Sequence, residues 1–390
     1  MQPSSQRTPV YVTHQNLEEH GGGATSVTAW VLEALWRRFD VRLATPGPAA
    51  DFQRIDKLYG TCLRHAAVGT YRLHEPSWLR AFPPHKLKSL RLGIALADPL
   101  LRQNGEGLVF NTANEMSFGR KSVTYVHCPI RHRRMVAEMA NGGERQLRAA
   151  NNLVFKLVSG FDQVRFLRSA CVANSQWTAS ALYRTYGIIA PVIYPPVVLP
   201  ARPGKPLQER SPGFVCISRI CAEKRIHEAI ELVDEMRSRR HEVHLHIVGT
   251  GSGRYARHIE QQAAARPFVF IHYGLSRHEL ASLLDDHQFG LHMMRNEHFG
   301  MAVAEMAAAG MIVIAHRSAG PIEILGHDWP LLFEDARGVA DICESLISDR
   351  SLQNDLHEWL RHRNIREKFS PEVFTRSIQR VTEDALWQGD

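Results

Sequence analysis

The sequence predicts an α/β chain made of two doubly wound, parallel-sheet domains that face a central cleft. Three observations predict it. Along the second half, short β-branched runs alternate with amphipathic helical runs, and that alternation gives a parallel sheet with helices on both faces. The first half repeats the pattern less cleanly. Between them, Pro195, Pro196, Pro200, Pro203, Gly204, Pro206 and Pro212 are too dense for helix or central strand, so 196–212 reads as a linker.

The first domain, 1–195, has strand-like runs at 10–12, 41–44, 108–110, 123–126, 171–173 and 192–194. Helices are expected at 26–37 and over the long 133–160 segment. The second domain, 213–369, reads as strand 214–217, helix 226–239, strand 243–248, helix 254–265, strand 269–271 and helix 277–284. Strand 289–293, helix 301–309 and strand 311–315 follow. Ser370-Pro371-Glu372 then starts a last helix in 370–390, with a cap hydroxyl, a proline in the first turn and an early carboxylate. That helix is expected to cross back to the first domain.

Composition narrows the function classes. Of 390 residues, 44% are apolar and 22% charged, which excludes a disordered, collagenous or coiled-coil chain. No apolar run approaches a membrane span, and the N-terminus shows no apolar signal region. The six cysteines form no C-x-x-C pair, so they read as reduced cytosolic thiols. Residues 1–195 hold 24 Lys+Arg against 13 Asp+Glu, +11; the remainder holds 23 against 27, −4. The basic surplus of one half suggests an anionic partner there, or a solvated basic surface with none.

The strongest chemical constellation runs from Asn296 to Glu305. Phe299-Gly300 lies where a loop enters an Ala-rich helix, whose free amides make an anion seat. Glu305, one turn in, could accept both hydroxyls of a ribose, and Glu297 could face a sugar. The alternative is a capping glutamate plus an ordinary helix glutamate. Arg219 and Lys224 follow the first strand of the second domain, on the side where parallel sheets bind ligands, and could clamp a diphosphate; surface cations would look the same. Gly21-Gly22-Gly23 precedes a helix and would admit a phosphate or sugar, or simply turn the chain. His127 ends a strand as a catalytic, sugar-binding or structural group.

Other patterns fail. Neither Gly21–Gly23 nor Gly249-Thr250-Gly251-Ser252-Gly253 completes G-x-G-x-x-G, which disfavours a nicotinamide dehydrogenase. His241-Glu242-Val243-His244 falls one residue short of the zinc-protease motif and sits on a predicted strand. His244 and His246 would share a strand face, with no third ligand apparent, so no metal is expected. D-x-D is absent throughout. The basic half has no nucleic-acid-binding signature. The 78–91 segment mixes Trp78 and Phe82 with Lys86, Lys88 and Arg91 as interfacial segments do, and Arg131, Arg133 and Arg134 add charge; an ordinary amphipathic surface helix is the alternative.

Together these segments resemble the retaining GT-B glycosyltransferases of family 4, whose fold is two Rossmann-like domains. Tyr125-Val126-His127, Val192-Ile193-Tyr194-Pro195-Pro196, Asn296-Glu297-His298-Phe299-Gly300 and the 315–321 run are most similar to α-1,2-mannosyltransferases that extend lipid-linked oligosaccharides. The resemblance implies a retaining transferase that moves a hexose from a nucleotide sugar, with GDP-mannose favoured, to a glycan or lipid-linked acceptor. Arg219 and Lys224 would hold the donor diphosphate, and Phe299, Gly300 and Met301 would offer backbone amides. Glu305 would bind the ribose, Glu297 the donor sugar and His127 that sugar as well. Gly22 and Gly23 would line the phosphate side, and Leu275 would meet the base. No cofactor or metal is implied. The family's eukaryotic members carry an N-terminal membrane helix that this chain does not show, which implies a cytoplasmic protein, peripheral on an anionic membrane through its basic half. A UDP-sugar donor, or a non-catalytic nucleotide- or glycan-binding protein, are the competing readings, and no nucleic-acid partner is expected.

Overall fold

A computed structural model describes residues 7–17, 22–80, 88–103, 105–131, 142–199, 204–335 and 338–387. Gly21, Phe82, Lys86, Arg133, Arg134, Pro200, Pro203 and the first part of the 133–160 helix lie outside them.

Two six-stranded sheets form the frame. The first runs in the order β3-β2-β1-β4-β5-β6, from β1 (Pro9–Thr13), β2 (Asp40–Thr45), β3 (Gly69–Arg72), β4 (Leu108–Asn111), β5 (Ser122–Val126) and β6 (Ala170–Ala173). The second runs β12-β11-β10-β7-β8-β9, from β7 (Ser211–Ile217), β8 (Leu245–Val248), β9 (Val269–His272), β10 (His287–His292), β11 (Ile312–His316) and β12 (Leu332–Phe333). Every pairing is parallel. The near-continuous apolar runs are thereby explained, because strands covered on both faces bury both sets of side chains. Val10, Val41, Leu108 and Phe110 are fully buried in one sheet, Phe214, Ile247, Phe289 and Ile312 in the other.

Each sheet starts in its middle and winds outward in both directions. Strand order reverses between β1 and β4, and between β7 and β10. Ligands bind beyond the carboxyl ends of strands at such reversals. The loops after β1, β4, β7 and β10 are therefore the ones to inspect.

The last helix, Pro371–Trp387, packs against the first sheet. Phe374, Ile378 and Ala385 enter its core, and Gln379 Nε2 donates to Ala34 O at 2.7 Å. Some details depart from expectation. β3 and β12 went unpredicted: the first is a largely exposed edge strand and the second has two residues. The 192–194 run forms only one bridge, between Val192 and Ala173. The central strand β7 begins at Ser211 and includes Pro212. Proline is tolerated there because Ser211 N and Phe214 N make the flanking ladder bonds, at 2.8 Å each, to Asp286 O and His244 O.

Candidate active site

The loop after β10 is built as a rigid shelf. Gly300, with φ +94°, caps the Met301–Ala308 helix, a backbone shape that favours glycine. The amides of Met301, Ala302 and Val303 then face the loop without intrahelical acceptors. A neighbouring turn locks the shelf. Asn296 N donates to Ser318 Oγ at 3.0 Å, and Gly320 N to Glu297 O at 2.9 Å. A Cβ on Gly320 would stand 1.9 Å from Phe299 O. The Phe299 ring is buried against Tyr194 and Phe369.

The charged groups meet on this shelf. Lys224 Nζ donates to Glu297 Oε2 at 2.5 Å, each side chain 15% exposed, and His292 Nε2 lies 3.3 Å from the same oxygen. Burial alone would push the Glu297 carboxyl up; Lys224 and His292 outweigh it and hold the group well below the usual carboxylate range. Arg219 is exposed. Its Cδ lies 4.0 Å from the point a Cβ on Gly22 would occupy, and a Cβ on Gly23 would stand 2.9 Å from Met301 Sδ. The glycine loop after β1 thus faces the cation loop after β7 and the helix after β10. Glu305, buried, is paired with Arg277.

The first half adds histidines. Gly22 caps the Gly23–Leu35 helix in an extended conformation. His14, after β1, bonds Thr28 Oγ1 through Nδ1 at 3.0 Å. His127, after β5, is held by its backbone: its N–H and that of Cys128 both donate to Asn114 Oδ1, at 2.8 and 3.2 Å. Burial lowers both histidines to about 4, so both are neutral at physiological pH. His127 Nε2 is buried with no hydrogen-bond partner among the described residues, which leaves it available to a ligand. From the other half, His298 stacks on Trp177 at 4.9 Å and couples electrostatically to His127, Glu297 and Lys224. Glu323 reaches across as well, accepting from Gln176 N and Trp177 N at 2.9 and 2.7 Å. Its carboxylate thereby satisfies the N-terminus of the Gln176–Tyr186 helix.

Cations beside a helix N-terminus, with a buried carboxylate one turn on, suit a nucleotide diphosphate. Residues 200–363 match the family described as glycosyl transferases group 1. Over 363 residues the chain is 24% identical to the mouse GDP-Man:Man(3)GlcNAc(2)-PP-Dol alpha-1,2-mannosyltransferase, covering 82% of this chain and 70% of that one. The human counterpart is 25% identical over 75% of this chain and 63% of its own. Human alpha-1,3/1,6-mannosyltransferase ALG2 is 27% identical over 55% and 58%. Among solved structures, the lipopolysaccharide glycosyltransferase WaaG superposes with a TM-score of 0.68 at 17% identity, over 95% of this chain and 99% of that one. HepE of Anabaena, in complex with UDP-glucose, gives 0.65 at 14% identity over 97% and 100%. These likenesses establish the fold as GT-B.

In this GT-B framework Gly22, Gly23, Arg219, Lys224, Glu297, His127, Phe299, Gly300, Met301 and Glu305 all lie on loops at the carboxyl ends of strands or on the helices those loops enter. Leu275 is half-buried just after β9 and directly before the Ser276 cap of the Arg277–Asp285 helix. Sequence reasoning missed His292, Arg277, Asn114, Trp177 and Glu323. His292 was within reach, because it ends β10 as His127 follows β5. The others act through long-range partners that no local pattern records. Two expectations about the basic surface need correction. Arg91 is buried and bound by Glu75 and Leu79 O, and Arg131 is buried with its guanidinium 3.6 Å over the Phe155 ring. Neither is a surface charge, because their partners and apolar neighbours fold them inward. The expectation of no third ligand near His244 and His246 also fails: β10 brings His287 to them.

Proposed function

We propose that this chain is a retaining, metal-independent mannosyltransferase that transfers mannose from GDP-mannose to a glycan or lipid-linked acceptor at the cytoplasmic face of a membrane. The observation that carries the reading is the Lys224–Glu297 pair, set against the free amides of the Met301–Ala308 helix and opposite the Gly22–Gly23 loop. Its donor and acceptor classes rest on the likeness to the GDP-Man:Man(3)GlcNAc(2)-PP-Dol alpha-1,2-mannosyltransferases.

Arg219 and Lys224 bind the diphosphate and stabilise its charge as it departs. Helix amides add fixed dipoles on the same side. Glu305, held by Arg277, accepts the ribose hydroxyls. Glu297, kept ionised by Lys224 and His292, accepts sugar hydroxyls near the reacting carbon. The bond from the sugar's anomeric carbon to the diphosphate breaks with its electron pair passing to the phosphate oxygen. The acceptor hydroxyl bonds to that carbon on the same face, and its proton goes to the departing phosphate. Neutral His127 offers Nε2 to the sugar. The +11 balance of the first half supports contact with anionic lipid near the acceptor.

A donor screen tests this reading. Melting temperature should rise with GDP and GDP-mannose, and turnover should be seen with GDP-mannose among GDP-mannose, UDP-glucose, UDP-galactose and UDP-N-acetylglucosamine. A shift with UDP alone and turnover of a UDP-sugar alone would reverse the donor assignment.

A further inference from the structure

At the opposite end of the second sheet lies a histidine cluster that the transfer chemistry does not use. His244 immediately precedes β8, His246 is its second residue and His287 opens β10. β7 separates those two strands. Two features let the rings meet across it. Gly213 on β7 carries no side chain, and a Cβ there would stand 2.2 Å from His244 Nε2. The pairing of β10 with β7 also shifts register between His287 and Phe289, and such irregularities re-aim a side chain. As a result, one ligand nitrogen from each of the three imidazoles lies within 4.8 Å of the others.

The outer contacts orient the lone pairs. His287 Nδ1 lies 2.7 Å from Leu283 O; only the Nδ1–H tautomer bonds a carbonyl, so Nε2 carries the lone pair. That Nε2 faces His244 Nε2 at 3.0 Å. His246 Nδ1 is 2.7 Å from His272 Nε2, which leaves His246 Nε2 to the cluster. A ring nitrogen tied to a carbonyl or polar partner, with its other nitrogen turned inward, is how metal-binding histidines are held.

We propose that His244, His246 and His287 form a binding site for a first-row divalent cation of the zinc class, with a fourth position open to water. Imidazole nitrogens are the ligands such ions take, at about 2.0–2.1 Å. Tetrahedral ligands then lie about 3.3–3.4 Å apart. The His244–His287 separation is already close to that, and the remaining gap closes by ring rotation. The ion would staple β8 to β10 across β7, remote from the transfer site, so its effect falls on stability rather than on transfer.

Tag-free protein should be titrated with Zn2+ by calorimetry, and its visible absorption followed with Co2+. One Zn2+ per chain, a Zn2+-dependent rise in melting temperature and a tetrahedral Co2+ spectrum are expected. His244→Ala and His246→Ala should each weaken Zn2+ at least about 100-fold, and His272→Gln by about 10–100-fold as an outer partner. The melting shift given by GDP should persist in all three, showing that they fold. Wild-type Zn2+ affinity no greater than that of the His244→Ala/His246→Ala double variant, or an octahedral Co2+ spectrum in the wild type, would overturn the site. Neither result bears on donor turnover.

Discussion

Replacing Lys224 with methionine isolates the electrostatics of the proposed site. At 2.5 Å the attraction to Glu297 is about 6–7 kcal/mol at an effective dielectric near 20, and desolvation offsets most of it. Removing one partner of a buried pair costs about 3–5 kcal/mol, because the other charge stays behind unpaired. Each side chain is 15% exposed and His292 remains beside the carboxylate, so a loss of roughly 2–4 kcal/mol follows. Glu297→Gln in the same chain removes the stranded charge and should recover most of it. The pH dependence must change as well. In the wild type the carboxyl is held low, so its stabilisation is present above the unfolded value near 4.5 and is lost as pH falls through the folded value. Without Lys224 burial dominates, the carboxyl rises, and that acid-side loss disappears. Denaturant midpoints of the four proteins of the cycle, at pH 7 and pH 4, make the measurement. A coupling below about 0.5 kcal/mol, the scale of independent sites, would refute the reasoning.

Glu305→Ala should weaken GDP binding by about 10–150-fold, the loss of charge-assisted hydrogen bonds to a ribose; unchanged affinity by calorimetry would remove its role. Glu115 is fully buried and pushed up to about 7 chiefly by desolvation. The folded chain therefore keeps a proton that the unfolded chain releases, and stability falls as pH rises from about 4.5 to about 7, by roughly 3 kcal/mol. Glu115→Gln should flatten that part of the stability profile, and an identical slope in variant and wild type would count against it. Turnover should survive EDTA, because in the proposed mechanism Arg219 and Lys224 stand in for a metal, whereas loss of activity reversed by magnesium or manganese would contradict this. Anionic vesicles should bind more tightly at low salt than at high, and less when Lys86 and Lys88 become glutamate; equal partitioning onto neutral vesicles would exclude the charge-based contact.

Much of this site was legible because parallel α/β sheets place their chemistry predictably. Once strands alternate with helices, the loop after each strand's carboxyl end is the place to look, and Gly22–Gly23, Arg219, Lys224 and the 296–305 run all sit there. The pairing of these loops was not legible. That Gly23 faces Met301, or that Glu323 satisfies the helix carrying Trp177, depends on how two sheets are docked, and no local pattern encodes it. Arg91 and Arg131 failed for a related reason: an arginine beside apolar residues reads as amphipathic surface until a carboxylate such as Glu75, or a ring such as Phe155, is seen to receive it. Pro212 misled because a register shift freed the position it occupies.

The chain passes between the halves twice, at 194–197 and at 369–371, and these two passages are tied together. Val197 N donates to Phe369 O at 2.7 Å, and the Tyr194 and Phe369 rings meet edge-on at 5.0 Å. Two pins fixed side by side leave a hinge with one axis of swing rather than a loose tether. Phe299 packs on both of those rings, so the shelf bearing Glu297 and Met301 sits at the pivot. The Gly22–Gly23 loop rides on the opposite leaf. Swinging the leaves apart would break the His298–Trp177 stack and the Glu323 bonds to Gln176 N and Trp177 N, so these cross-leaf contacts act as the latch that keeps the Gly22–Gly23 loop facing the shelf.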